Sequence, residues 1–445
     1  MDYFDADLHI HSPHSIAVSK NMNLDTMLEN SRKKGLKILG TGDITQPDWR
    51  NYLKLNLKFN KGVYSYKEIN FIVQTELEDK ESIHHIVLLP DLNAAERLEE
   101  KIKVYTKDTS LYFAGRPHVH LSAPELVEII EELNGIIGPA HAFTPFKSIF
   151  RSNKYSTLEQ CYGSNVNKIY FLELGLSADT YIADRMKCLE NITFLSNSDA
   201  HSEGIQSLGR EFNRFYIEEP SFDEIVKAIK RIDGRKIVLN VGLEPRLGKY
   251  PMMFCRDCRI RVKLYLKNEI PNHLKNLPIK KSINEEYIME DQFINYIFET
   301  EEGLNNFRKQ ISEEKILCIK CLSRNKKSPI LLGVFDRVAE IADFKEPHHP
   351  AHRPLYLDII PLIEMIRAIR GVKSSKSKLV LRTYEELINR YGTEFEILTN
   401  EKITEDLIKD GHEKLAKLLK AFRNREIEFI PGGGGKYGEI QLDEI

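Results

Sequence analysis

The sequence predicts an α/β fold: a domain with a mostly parallel sheet, open or closed into a barrel, followed by a cysteine-bearing segment and a helical one. Three observations carry this. Through the first 240 residues short apolar runs alternate with longer amphipathic stretches, the rhythm of strands and their covering helices. Two CxxC pairs, Cys255/Cys258 and Cys318/Cys321, bracket the next stretch. The final third is dominated by helical spacing. A chain of 445 residues has room for several such units, and the expected boundaries are 1–243, 244–330 and 331–445.

The strand candidates, in order, are the apolar runs at 38–40, 71–73, 86–89, 136–138, 169–172 and 193–196. Helical spacing marks 24–34, 93–105, 123–133 and 222–231. Pro124 falls in a first helical turn, where its missing N–H costs nothing. Over 241–330, 17 Lys and Arg face 12 Asp and Glu, while the whole chain carries a net charge of only −2. A general basic arm is thus excluded, and any nucleic-acid surface must be local. Helices are expected again at 362–370, 383–390 and 404–422, before a glycine run at 432–435. No run approaches the ~18 apolar residues of a membrane span. The opening MDYFDADLHIHS has no apolar signal core, so a cytoplasmic protein without a membrane partner is expected.

The chemistry lies in where His and carboxylates fall relative to those strands. His9 and His11 are two apart in an extended segment, so both imidazoles point to one side. Asp43, Glu76, His84, His85, His141, Asp199 and His201 each stand just past an apolar run. Loops at strand ends gather catalytic groups on one face of such folds. Imidazoles and carboxylates together suit divalent ions such as Zn²⁺ or Mn²⁺, and one carboxylate can bridge two of them. Any one of these pairs alone reads more simply as a satisfied buried or surface group. The whole set in one domain does not.

The residues DLHIHS at 7–12, the acidic strand ends and Asp199-Ala200-His201 resemble the polymerase-and-histidinol-phosphatase (PHP) domain. That resemblance implies a distorted seven-stranded β/α barrel with a multinuclear metal site that hydrolyses phosphoesters. It makes His9 and His11 the first ligand pair, Glu76 the bridging carboxylate, His85 the next ligand with His84 as its competitor, and His141, Asp199 and His201 the remainder. Two departures concern the number of ions. Gly42-Asp43-Ile44 stands where the family has Thr-Asp-His, and Ile16 where it has Asp, which leaves one metal position empty or held by Asp43.

A longer resemblance covers almost the whole chain. His11-Ser12 with Ala17-Val18-Ser19, Gly40-Thr41-Gly42-Asp43, Gln74-Thr75-Glu76, Gly115-Arg116-Pro117, Gly138-Pro139-Ala140-His141, the CxxC pairs and PGGGGKYG at 431–438 are similar in combination to the endonuclease Q family. This implies a PHP nuclease domain, a zinc-binding domain and a helical domain. The implied activity is incision of damaged DNA 5′ to uracil, hypoxanthine, xanthine and abasic sites by metal-activated water, with two or more Zn²⁺, Mn²⁺ or Mg²⁺ ions in the catalytic site and His9, His11, Glu76 and Asp199 central to it.

The cysteine spacing predicts a structural Cys₄ zinc site from Cys255, Cys258, Cys318 and Cys321, with residues 259–317 looped out. Four thiolates leave no open position, so this ion stabilises the fold. Cys161 and Cys188 read as ordinary thiols. For DNA contact the candidates are Arg370, Lys373, Lys376 and Lys378 in an acid-free turn, and Lys436 beside the glycine run, which could bring backbone N–H groups to a phosphate. No recruitment peptide for a sliding clamp is legible. Two rivals remain: a small-molecule phosphatase on the same metals, and a non-catalytic, zinc-stabilised nucleic-acid-binding protein.

Overall fold

The computed structural model describes residues 1–60, 62–107, 115–282 and 285–442. The first strand, Asp2–Asp7, pairs in parallel with Ile38–Gly40 and antiparallel with Phe212–Ile217. From Ile38–Gly40 the sheet runs in parallel to Ile69–Glu78, then antiparallel to His84–Leu89 and again to Ile136–Pro139. On the other flank Phe212–Ile217 pairs antiparallel with Lys236–Leu243. The sheet has ten strands and is mixed, which corrects the expectation of a mostly parallel one. The reason is that a strand buried on both faces reads as an apolar run whichever way its neighbours point. Phe171–Glu173 and Thr193–Leu195 form a parallel pair of their own.

Local chemistry sets the helices around the sheet. Leu24–Lys34 starts at a capping box between Asn23 and Thr26, ends at left-handed Gly35, and buries Leu24, Met27 and Leu28. Ala123–Glu132 begins with the Ser122/Glu125 capping box and Pro124 in its first turn, where the proline placed it.

The third segment does not stand apart from the first. Leu355–Ile359 adds in parallel to Lys236–Leu243 as a further strand of the ten-stranded sheet. One hydrophobic core runs from Ile10 to Ile427 and includes Leu362, Val380, Leu387 and Leu415. Residues of the expected units 1–243 and 331–445 therefore share one core. The sequence missed this because five residues, LYLDI, are too few to tell strand from helix by period. A buried ion pair, Lys34 to Glu394 at 2.8 Å, further ties the first helix to the last third, and Tyr384 donates to the same carboxylate at 2.7 Å.

The cysteine segment has its own core, including Val262, Ile294, Tyr296, Phe307 and Ile311, around a six-stranded sheet. Much of the expected insertion is thus folded: Arg261–Leu266 pairs in parallel with Phe293–Phe298, and the helix Glu301–Ser312 covers them. The glycine run is a packing device. A Cβ on Gly432 would lie 2.0 Å from the Gly248 carbonyl oxygen, and Gly434, at φ 63°, would press on the Arg259 carbonyl at 2.4 Å. No helix is long and apolar enough to cross a membrane among the described residues.

Candidate active site

The site forms where the ends of several strands converge. Beyond Asp2–Asp7 the chain stays extended, Ile10 bridges Ala200, and the His11 N–H donates to the Ala200 carbonyl at 3.0 Å. Leu8 and Ile10 turn into the core while His9 and His11 face the site. His9, His11 and Asp199 offer ligand atoms within 4.8 Å of one another, and so do Glu76, His84 and His141.

Glu76 joins the two groups. One carboxylate oxygen lies 2.8 Å from His84 Nδ1, 3.1 Å from His141 Nε2 and 3.7 Å from His9 Nε2. The other lies 3.6 Å from His11 Nε2 and 3.2 Å from Arg116 Nη1. Asp199 closes the first group, 3.0 Å from His11 Nε2 and 3.7 Å from His9 Nε2. Three site residues, Asp43, His141 and Asp199, hold φ values of 41°, 28° and 47°. Such left-handed backbone is costly for residues other than glycine and clusters at functional sites.

His85 is a correction. In the antiparallel register Glu78 faces His84 and Leu77 faces His85, so period two sends His84 to the Glu76 side and His85 to the opposite one. There His85 is fully buried, with Nδ1 2.9 Å from the Tyr162 hydroxyl and Nε2 3.2 Å from Asp79. Asp43 is a second correction. Its carboxylate meets His11 Nδ1 at 2.9 Å and accepts from the Ser12 N–H at 2.5 Å, so it grips His11 from the side away from Asp199. His201 joins neither ligand group. Its ring lies 4.4 Å from that of His11 and its Nδ1 is 2.9 Å from the Asp199 carbonyl.

Sequence reasoning passed over Glu173, which is fully buried. Its carboxylate takes His9 Nδ1, the His141 N–H at 2.8 Å and the Asn197 amide at 3.0 Å. The one available signal was a lone carboxylate inside the apolar run FLEL at 171–174. Asp7 lies behind the site, accepting from the Ser198 hydroxyl at 2.5 Å and the Gly209 N–H at 3.0 Å, and burial pushes its carboxyl up to about 6.

The electrostatics favour cations. Burial opposes a charge on Glu76, yet His84 and Arg116 hold its carboxyl well below the usual range. Asp199 is likewise held low, against burial, by His201, His11 and His9. Burial would lower His9 and His11, but Glu173 chiefly raises the first to about 9, and Asp43 with Asp199 raise the second to about 10. His9 Nε2 is buried with no hydrogen-bond partner, 3.7 Å from a carboxylate oxygen of each of Glu76 and Asp199. An enclosed imidazole nitrogen in that setting, with its other nitrogen held by Glu173, fits a divalent ion.

At the second cluster Cys255 and Cys321 have sulfurs 3.5 Å apart, and Cys258 and Cys318 sulfurs 3.7 Å apart. Tetrahedral thiolates around one ion, at about 2.3 Å each, would sit about 3.8 Å from one another. All four are free thiols, and the donor set fits a single structural ion.

The proposed DNA contacts are all exposed. Arg370, Lys373 and Lys376 lie on the turn between the helices Leu362–Ile369 and Lys378–Tyr391, and Lys378 opens the second. Lys373 and Lys376 share a cavity wall with Tyr437, the neighbour of Lys436. Arg370 lines a different cavity.

Residues 361–426 match the family described as the MJ0043 C-terminal domain. The uncharacterized protein MJ0043 of Methanocaldococcus jannaschii is 35% identical over 69% of this chain, which spans only 32% of that protein's length. The uncharacterized protein YqxK of Bacillus subtilis is 29% identical over 98% of both chains. Among solved structures, the lesion-specific endonuclease PfuEndoQ from Pyrococcus furiosus is 37% identical, with a TM-score of 0.79 over 100% of this chain and 96% of that one. A structure of Endonuclease Q with a 27-mer duplex substrate carrying an abasic lesion at the active site is 37% identical, with a TM-score of 0.82 over 100% and 97%.

Proposed function

The chain belongs to the endonuclease Q family, and from that premise we propose that it is a metal-dependent endonuclease that cuts DNA 5′ to deaminated bases and abasic sites. The observation that carries the proposal is the shared carboxylate: Glu76 stands between two groups of ligand atoms, one of which leaves His9 Nε2 bare. In this reading His9, His11 and Asp199 would hold one ion and His84 and His141 another, with the Glu76 carboxylate shared between the two groups and His201 beside them. These residues would hold Zn²⁺, Mn²⁺ or Mg²⁺, which would acidify a water and offset charge on the phosphate.

The chain's own residues do the rest. Glu173 accepts a hydrogen bond from the Nδ1–H of His9, which directs Nε2 inward. Asp43 does the same for His11. Arg116, beside Glu76 and part-exposed, is placed to donate to a phosphate oxygen at the mouth of the site. Lys373, Lys376 and Lys378 lie on an exposed turn where they would hold the strand. We read residues 244–330 as a zinc-stabilised domain on Cys255, Cys258, Cys318 and Cys321, and the barrel as the PHP type.

The test uses purified, metal-replete protein and end-labelled duplexes containing uracil, hypoxanthine, an abasic site or no lesion, with EDTA controls. A metal-dependent nick 5′ to the lesion, absent from undamaged DNA, is expected. Hydrolysis of p-nitrophenyl phosphate without any nicking would move the reading to a phosphatase. Turnover of neither would favour a binding protein.

A further inference from the structure

We propose that the loop Thr144–Lys147 positions both imidazoles of the second ligand group, His84 and His141, and that Phe146 seats this loop on the cysteine domain. The second ion would then be held well only while that domain is folded and in place. The inference rests on the two-ion reading of the site and names what keeps the second ion there.

His141 meets Glu76 through Nε2, at 3.1 Å. Its other ring nitrogen, Nδ1, lies 3.3 Å from the Thr144 hydroxyl, which lies 2.8 Å from the Phe146 carbonyl. A threonine hydroxyl carries one proton. Donated to the Phe146 carbonyl, it leaves the oxygen to accept from Nδ1–H, and the Nε2 lone pair then faces Glu76. His84 presents Nδ1 to Glu76 at 2.8 Å and Nε2 to Glu78 at 3.3 Å. Lys147 holds His84 from two directions. Its carbonyl accepts from the His84 N–H at 2.8 Å, and its ammonium pairs with Glu78.

The loop is stiff. Pro145 restricts its own φ and the conformation of Thr144 before it. Lys147 holds a left-handed φ of 59°, and the Ser148 hydroxyl donates to the Thr144 carbonyl. Phe146 packs against the cysteine domain: its ring centre lies 6.0 Å from that of Phe254, 5.6 Å from that of Tyr250 and 5.6 Å from the Arg259 guanidinium. Attractive aromatic pairs and cation–π contacts fall at about 4.5–7 Å and within about 6 Å. Phe254 directly precedes Cys255 and Arg259 directly follows Cys258, and the Arg259 N–H donates to the Cys255 carbonyl at 3.2 Å. The side chains that receive Phe146 are thus placed by the first pair of cysteines.

The first ligand group has supports of its own. Glu173 holds His9, Asp43 holds His11, and the Ala200 carbonyl accepts from the His11 N–H. Disturbing the loop should therefore spare the first ion. Glu173 also accepts from the His141 N–H at 2.8 Å, so the backbone of His141 stays anchored and the change falls on its ring.

The experiment titrates Mn²⁺ into the full chain and follows it by electron paramagnetic resonance, which distinguishes a coupled pair of ions from a single one. The wild type is expected to take two ions and give the coupled spectrum. Thr144→Val keeps the size and loses the hydroxyl; it should weaken one ion about 10–100-fold and leave a single-ion spectrum at intermediate Mn²⁺. Thr144→Ser should restore the pair. Phe146→Ala should weaken the same ion about tenfold. Arg259→Ala changes an exposed residue of the cysteine domain, so it should fold normally. At unchanged zinc content and Tm it should still weaken that ion about two- to fivefold. Adding Asp199→Asn to Thr144→Val should abolish the ion that remains, which assigns it to the first group. Equal weakening of both ions, or two ions held as tightly in Thr144→Val and Arg259→Ala as in the wild type, would overturn the inference alone. A wild type that binds fewer than two Mn²⁺ would overturn the two-ion reading and the inference with it.

Discussion

Both carboxylate oxygens of Glu173 lie 3.0 Å from Nδ1 of His9, across the ring from the buried, unpartnered Nε2. A carboxylate in that position fixes the tautomer and aim of a ligating imidazole. Glu173→Gln should weaken binding of divalent ions beside Glu76 about 10–100-fold and leave any ion bound by the four cysteines in place. Chelator competition measures both; unchanged affinity would contradict the role.

His84 and His85 are neighbours that face opposite sides of their strand. His84→Ala should fold normally, lose bound ion and lose cutting by about a hundredfold or more. His85→Ala strands Asp79 and Tyr162 in the interior, so it should cost about 1–3 kcal/mol of stability while retaining metal. Metal content and thermal unfolding of the pair distinguish them; the reverse pattern would restore His85 as the ligand.

The pH response of the metal-free and metal-loaded protein should run in opposite directions. With burial opposed by Glu173, Asp43 and Asp199, His9 and His11 have folded values raised to about 9 and about 10, above the ~6.5 of free histidine. Their charged forms therefore stabilise the metal-free fold fully below about pH 6.5, a contribution lost as pH rises through those raised values. Ion binding must displace the same protons, so affinity should climb up to about tenfold per pH unit for each proton released. Chelator competition between about pH 6 and 8 reads the slope; a flat profile would mean the two imidazoles are not ligands.

The residues that the sequence exposed and those it hid differ for a physical reason. His9 and His11 were legible because strand period two is rigid over two residues, and the four cysteines because CxxC spacing is local. Which of His84 and His85 faces Glu76 depends on the register between Ile69–Glu78 and His84–Leu89, a long-range pairing with no local signal. Glu173 reads as one more residue of an apolar run until His9 is brought against it. The strand Leu355–Ile359 was hidden likewise, since its partner Lys236–Leu243 lies more than a hundred residues earlier.

Cys255→Ser should remove one zinc per chain and lower Tm by on the order of 10 °C, because the core around Phe307 and Tyr296 is built over the four thiols. Zinc analysis with calorimetry tests this. Full stability without zinc would show the cysteines to be ordinary core residues.

Asp199→Asn should reduce cutting by at least about a hundredfold and leave DNA binding near that of the wild type, since the basic turn is untouched. Gel-shift and single-turnover assays on one uracil duplex provide the comparison. Full retained activity would refute its part in the site.

The most direct test of the whole account is anomalous diffraction from crystals grown with Mn²⁺. Two strong peaks about 3.5–4 Å apart, on either side of the Glu76 carboxylate and each against one of the two ligand groups, are the result the account predicts. A single peak beside Asp79 and His85, or no peak at Glu76, would contradict it.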